Sequence, residues 1–464
     1  MARIMLYQHA KLACEDNLLI KVRSHDPESA QLQFITSELE VIGVKIIPPF
    51  LARNLMTNRV SYCKRHLLFQ IFGLILFFTL LGPTIAQAAT YYVSLTGKDS
   101  NSGTSTSAPF RTLLKAVQPL RPGDTLYIRA GTWTEQLDLM RYNTSGTSGK
   151  YIKIAGYPGE KVTLRYAEPI QGGYGVIKAR GTRGYLIFEN LVLDGINTPI
   201  ETGWTIDNRN HHFILRNLEI KSFRDSGLYI AGNYIQVINC SIHDQIMTSD
   251  SVGSRYYGIY FHNGSNGLLQ GNKIYNNPGG GLQLYPGPLP NLVVRGNAIY
   301  NNNKLKSSPI GGIILSGTSS SIISNAQIYN NLVYRNGTSS SGNAHGISIG
   351  NYTSGTKVWN NTMYGNKSYG IHIGSSSAKS TVVQNNISYG NSAGNYYNKG
   401  TSTSYTNNVT TDPKFVSASS NNFQIQSSSP AVNKGTKLSS VPNDYRNLAR
   451  PKGSTHDIGG YENY

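Results

Sequence analysis

Between residues 224 and 285 the sequence concentrates side chains that could carry chemistry. Rings at Tyr229, Tyr256, Tyr257, Tyr260 and Tyr285 suit stacking on a flat, partly apolar ligand, and Gln283 can bond its hydroxyls. Arg224, Arg255 and Lys273 can meet carboxylates, while His262 and Tyr260 can exchange protons. Asp225, Asp244 and Asp250 are candidate ligands for calcium, although that ion takes six to eight oxygens and three scattered acids are a thin set. Other chemistries lack their residues. The chain has no Cys/His zinc spacing, no phosphate-binding Gly-Lys loop and no Gly-x-Ser-x-Gly elbow.

The elements that must position these side chains are repeats. A Gly-apolar-x-apolar strand recurs at Gly227, Gly258, Gly281, Gly312, Gly346 and Gly370, in steps of 31, 23, 31, 34 and 24 residues. A shortest step near 23 fits one coil of three short strands, and longer steps are that coil with a loop inserted. A second signature alternates with the first: NCSIHD at Asn239, GNKIYNN at Gly271, GNAIYNNN at Gly296, NNLVYRN at Asn330, NNTMYGN at Asn360 and NNISYGN at Asn385. The implied fold is all-β, a right-handed parallel β-helix, with solenoid coils over residues 166–410.

Strand alternation points Ile259 and Phe261 inward and Tyr260 and His262 outward. It also places Cys240, Asn272, Asn297, Asn331, Asn361 and Asn386 in one column inside a turn, where stacked amides can bond from coil to coil. A neighbouring column, His243, Tyr275, Tyr300, Tyr334, Tyr364 and Tyr389, faces out, for ring stacking along the axis or for ligand contact. Residues 89–165 supply the N-terminal cap and first strands, with an amphipathic helix expected over 110–120; residues 411–464 break the coil pattern and read as the opposite cap.

Composition agrees. Charged residues make up 14% of 464, and the balance is shifted to glycine, serine, asparagine and tyrosine, which suits short strands and tight turns better than helices. The apolar run from Leu67 to Gly82 follows Arg59, Lys64, Arg65 and His66 and precedes Ala86-Gln87-Ala88, in the order of a signal peptide over residues 56–88. Met56 is then the expected start, residues 1–55 an upstream leader, and Ala89 the first residue after export; the alternative is an uncleaved anchor. Cys240 alone remains in the exported chain, so no intrachain disulfide forms there. Without residues 1–88 the chain keeps 33 basic against 18 acidic residues, about +15. The bases are scattered along the coils, which favours an acidic polysaccharide on an extended surface over nucleic acid; general solubility or adhesion to an anionic cell surface is the alternative.

The opening YYVSLTGKDSNSGTS through PGDTLYIRAGTW, with the coils, resembles secreted β-helix polysaccharide lyases of the pectate and alginate type. SPAVNKG, DYRNLARP and DIGGYE near the C-terminus resemble bacterial surface β-helix proteins of the choice-of-anchor type. The resemblance implies that a sugar chain lies along the Gly-apolar-x-apolar strands, lined by Tyr229, Tyr260, His262, Gln283 and Tyr285, with Arg224, Asp225, Asp250, Arg255, Tyr256 and Tyr257 on the loops before them. Cleavage by β-elimination needs a base for the proton α to the uronate carboxylate and a cation on that carboxylate. His262 or Tyr260 would be the base and Arg255 or Arg224 the neutraliser, with Lys273 a further candidate on a different face. Calcium-dependent pectate lyases place Asp-Asp-Gly before this strand; here Gly279-Gly280-Gly281 and Asp225-Ser226-Gly227 match it, with one acid in place of several. The paired-carboxylate motifs of polygalacturonases and the DPHD element of uronate epimerases are absent. Two readings stand: an exported monomeric lyase, or a non-catalytic glycan-binding or cell-surface protein.

Overall fold

The repeat becomes a coil through three strands and three turns. Leu228–Ala231, Gln236–Ile238 and Ser241–His243 form one circuit, and Ile259–Asn263 begins the next directly on Leu228–Ala231. The computed structural model describes residues 87–166, 168, 175–247, 256–303, 311–338 and 343–464. Among these, parallel strands build three long sheets of twelve, ten and eight strands, beginning at Thr90–Val93 (sheet 1), Gly131–Trp133 (sheet 2) and Trp204–Ile206 (sheet 3). The fold is a right-handed parallel β-helix. Leader, signal segment, Cys14 and Cys63 lie outside the described residues.

The apolar side chains of all three sheets point inward to one continuous core, in which Leu228, Ile230, Val237, Ile242, Ile259 and Phe261 are each 0% exposed. The glycine opening each sheet 3 strand is required by close approach. A Cβ on Gly258 would stand 2.3 Å from Ile274 Cγ2 and 2.8 Å from the carbonyl oxygen of Gly281 in the next coil.

Two asparagine ladders flank the five sheet 2 strands from Lys273–Tyr275 to Ile387–Tyr389. In the first, the backbone N–H of Cys240 donates to Asn272 Oδ1, and Asn272, Asn297, Asn331, Asn361 and Asn386 each donate onward at 2.9–3.0 Å, ending on Asn408. Their Nδ2 groups also donate to inward-facing backbone carbonyls such as Val294 O. The second ladder, Asn277, Asn302, Asn336, Asn366 and Asn391, was not anticipated. Its signal was present as an asparagine five residues after each member of the first. The residue before a ladder amide often adopts positive φ, as at Asn330, Asn360 and Asn385, where asparagine is among the few side chains that tolerate it.

The ends differ from the expected caps. The N-terminal helix spans only Leu113–Val117, capped by Thr112, whose hydroxyl accepts from the Lys115 N–H. Gln118 keeps helical dihedrals, and the helix ends at Pro119, which has no N–H to continue the ladder, while Leu113, Ala116 and Val117 are buried on the first coil. The segment 411–464 folds back along the outside of sheet 2 and is not merely a lid on the last coil. Phe415, Phe423 and Tyr461 pack with Tyr300, Tyr334, Tyr364 and Tyr389 of the outward column. That column is stacked from His243 to Tyr334, with centroids 4.6–5.0 Å apart, and is covered from Tyr300 onward.

Candidate active site on sheet 3

Three successive strands of sheet 3 hold Tyr229, Tyr260 and Gln283 in one outward row, each paired in register with the next. The rings of Tyr229 and Tyr260 are parallel within 4° and 5.0 Å apart. Beyond Phe261 the pairing slips: Ile230 opposes Phe261 but Ala231 opposes Asn263, so His262 is the extra residue of a bulge. The bulge brings its imidazole to 4.6 Å from the Tyr229 ring and 5.8 Å from that of Tyr260. Gln283 is 8% exposed, and its Oε1 is enclosed with no hydrogen-bond partner among the described residues. Tyr285 follows on the exposed side of the same strand end, its N–H donating to Phe261 O.

The loop aromatics behave differently from their expected role as presented contacts. Tyr256 and Tyr257 are buried, at 4% and 7% exposure. Tyr257 stacks at 5.6 Å on Tyr260 and so holds that ring; Tyr256 has φ of 37° and gives its carbonyl to the Gly279 N–H. Arg224 is exposed just before the Leu228–Ala231 strand, and Asp225 beside it is half-buried, accepting from the hydroxyls of Thr202 and Ser226. Lys273 is exposed on sheet 2, in register with Ser241 and Ala298, which separates it from the Tyr260 row by a sheet. Asp244 turns to His243 at the end of a sheet 2 strand, Oδ2 2.7 Å from Nδ1. Asp250 and Arg255 lie outside the described residues.

The structure thus gathers Tyr229, Tyr257, Tyr260 and His262, carries Gln283 and Tyr285 on the next strand, and leaves Lys273 and Asp244 elsewhere. Among the described residues no three His, Cys, Asp or Glu side chains converge as a metal would require, and Asp250, one of the three candidate calcium ligands, lies outside them. No step is therefore routed through a metal.

Compared with protein families, residues 91–408 match the Pel9A-like right-handed β-helix region. The chain belongs to that Pel9A-like family. Its curated relatives include pectate lyase L of Dickeya dadantii, 24% identical over 414 residues that cover 82% of this chain and 91% of the relative. Pectate lyase PEL9 of Emericella nidulans is 26% identical over 227 residues, 45% of this chain and about half, 52%, of the relative. Among solved structures, pectate lyase Pel9A superposes with a TM-score of 0.57 at 20% identity, covering 82% of this chain and 98% of its own. At that identity the likeness is one of fold.

Within this Pel9A-like chain, strand alternation turns Ser348 and His372 outward beyond the first three coils, but the aromatic group that they join there has no counterpart in the sequence pattern. The outward row continues through Ile314 to Ser348, His372 and Tyr397. There His345 stacks on His372 with centroids 4.0 Å apart. Burial, and secondarily the neighbouring His372, holds the His345 imidazole far below its usual range, at about 3, so both rings are neutral near pH 7.

Proposed function

We propose that this protein cleaves an acidic, uronate-containing polysaccharide by β-elimination on the outward face of sheet 3. The observation that carries the reading is the bulge that sets His262 against the parallel Tyr229 and Tyr260 rings. The edges and hydroxyls of those stacked rings would hold the sugar. His262 or Tyr260 takes the proton α to the carboxylate; the C–H electrons form the double bond to the next carbon, the glycosidic oxygen leaves from that carbon, and it takes up a proton from the protonated base or from water. Arg224 and Arg255 would meet the carboxylate as charge builds on it. The pectate lyases among the relatives support an acidic polysaccharide as substrate class.

Export, cleavage before Ala89 and action as a monomer belong to this proposal, and N-terminal sequencing of culture-medium protein checks the processing. The C-terminal resemblance to choice-of-anchor proteins makes the cell surface a candidate site of action. Calcium enters only as a variable: activity should be compared with added calcium and with chelator. The decisive assay is absorbance at the unsaturated-uronate band on pectate, alginate and glycosaminoglycans. Product on one of these, lost in His262→Ala, is expected; no product on any removes the lyase reading.

A second reading, a glycan-binding protein without catalysis, is favoured by the lack of converging carboxylates among the described residues and by the basic charge. It requires glycan binding that persists in His262→Ala and Arg224→Ala with no product formed.

A further inference from the structure

The far end of sheet 3 carries an aromatic cluster with a different character from the covered column on sheet 2. His372 and Tyr397 occupy adjacent positions of the outward row, rings 5.1 Å apart and 13° from parallel. Tyr369, at the start of the same strand as His372, lies 5.1 Å from Tyr397 and 5.9 Å from His372. His345 backs them. Its Nδ1 accepts the Tyr369 N–H at 3.3 Å, which fixes the tautomer protonated at Nε2. His372 Nδ1 meets Ser348 Oγ at 3.2 Å. Lys399 follows the last strand, is exposed, and holds Nζ 5.8 Å from the Tyr397 ring centre.

Stacking for stability alone accounts for His345 and Ser348, which are 6% and 8% exposed. It does not account for the partial exposure of Tyr369, His372 and Tyr397 beside an exposed cation on the face that carries the candidate site. The sheet 2 column, by contrast, is roofed by Phe415 and Phe423. Coils are about 4.8 Å apart, so the four steps of register from Tyr260 to His372 span roughly 19 Å. An extended polysaccharide advances by about one coil step per ring, and a chain of five to seven sugars along the row would meet both clusters.

We propose that Tyr369, His372, Tyr397 and Lys399 form a second, non-catalytic sugar subsite that takes a uronate residue of the chain bound at Tyr229, Tyr260 and His262. The stacked rings turn their edges and the tyrosine hydroxyls to the sugar, the imidazole offers a hydrogen bond, and Lys399 meets the carboxylate. The inference rests on the proposed substrate class but not on β-elimination.

The test uses the exported chain with galacturonate trimer and octamer, fully acidic or methyl-esterified, binding being read by stopped-flow tyrosine fluorescence before turnover. The acidic octamer is expected to bind at least about tenfold more tightly than the trimer, and Tyr397→Ala to remove most of that gap, about 1.4 kcal/mol. Lys399→Gln, at an exposed position, should weaken the acidic octamer about threefold and leave the methyl-esterified one unaffected. Should Tyr397→Ala fail to fold, judged by its melting midpoint, Lys399→Gln decides. The proposal is overturned if the octamer does not bind, if wild-type affinity is independent of length, or if folded variants bind the acidic octamer as wild type does. Weakened octamer binding with no unsaturated product anywhere would leave the subsite standing and the lyase reading refuted.

Discussion

At the scale of the residue, Asn331 shows how much one side chain can hold. Its Oδ1 accepts from both the N–H and Nδ2 of Asn297, while its own Nδ2 donates to Val294 O and Asn361 Oδ1. Replacement by leucine of similar volume strands those donors in a site with no water access. Asn331→Leu is therefore expected to cost about 3 kcal/mol, read as a lower urea midpoint at unchanged slope. Cys240 fills the same column without an amide. Burial pushes its thiol up to about 12, so it should react with a thiol reagent only on unfolding, with the kinetics of the unfolding step. Labelling of the native protein at the rate of a free thiol would contradict this. The first ladder was legible because identical residues recur at one place in a motif. The environment of His262 was not: alternation gave its direction, but the bulge that brings it to Tyr229 depends on a pairing slip between strands 31 residues apart.

At the scale of the element, glycine spacing carried the architecture because a physical constraint repeats with it. A Cβ on Gly281 would lie 2.4 Å from Ile299 Cγ2 and 2.8 Å from Gly312 O, both fixed by the core and the sheet. Gly281→Ala is expected to destabilise by about 2 kcal/mol through displaced backbone, visible as a lower melting midpoint. The same residue opens the strand of Gln283, so a loss of sugar affinity larger than the loss of stability would show that the coil also sets the site. The helix was overextended in the sequence because periodicity ran past its terminators, Thr112 at the cap and Pro119 beyond the end. The distal cluster was hidden for the opposite reason. Ser348 and His372 sit at the same place of the Gly-apolar-x-apolar motif, but Tyr397 lies outside it and Tyr369 precedes it, so only the register of Ile347–Ile349, Tyr369–Ile373 and Gly394–Asn398 brings the group together.

At the scale of the whole molecule, the solenoid is stabilised along its flank by the returning segment 411–464, and the anchor of that segment is a buried charge pair. Arg450 and Glu462 are 0% and 1% exposed at their side chains and bonded to each other, and Arg450 also donates to the carbonyls of Asp457 and Gly459. Sequence motifs marked these residues as non-coil, but a chain reversal leaves no periodic trace, which is why the segment read as an end cap. Glu462→Gln keeps the shape and leaves Arg450 a buried charge without its partner, with an expected loss of about 3 kcal/mol. His456, 1% exposed in the same segment, adds a dependence on pH. Burial, then repulsion from Arg450 and Lys437, holds its imidazole below the usual range, at about 4. Its folded value is depressed, so its contribution is complete above the unfolded value near 6.5. As pH falls the unfolded chain takes up the proton first, and stability declines by about 1.4 kcal/mol per unit until near pH 4. His456→Phe should flatten this part of the profile, the difference from wild type separating it from the other buried imidazoles at His345 and His372. If the segment is the first part to loosen, the protection factors of Ala431 and Ile458, hydrogen exchange corrected for its slower intrinsic rate at lower pH, will fall between pH 7 and 5 in the wild type and not in the variant. Equal loss of protection in both proteins would locate the acid sensitivity elsewhere.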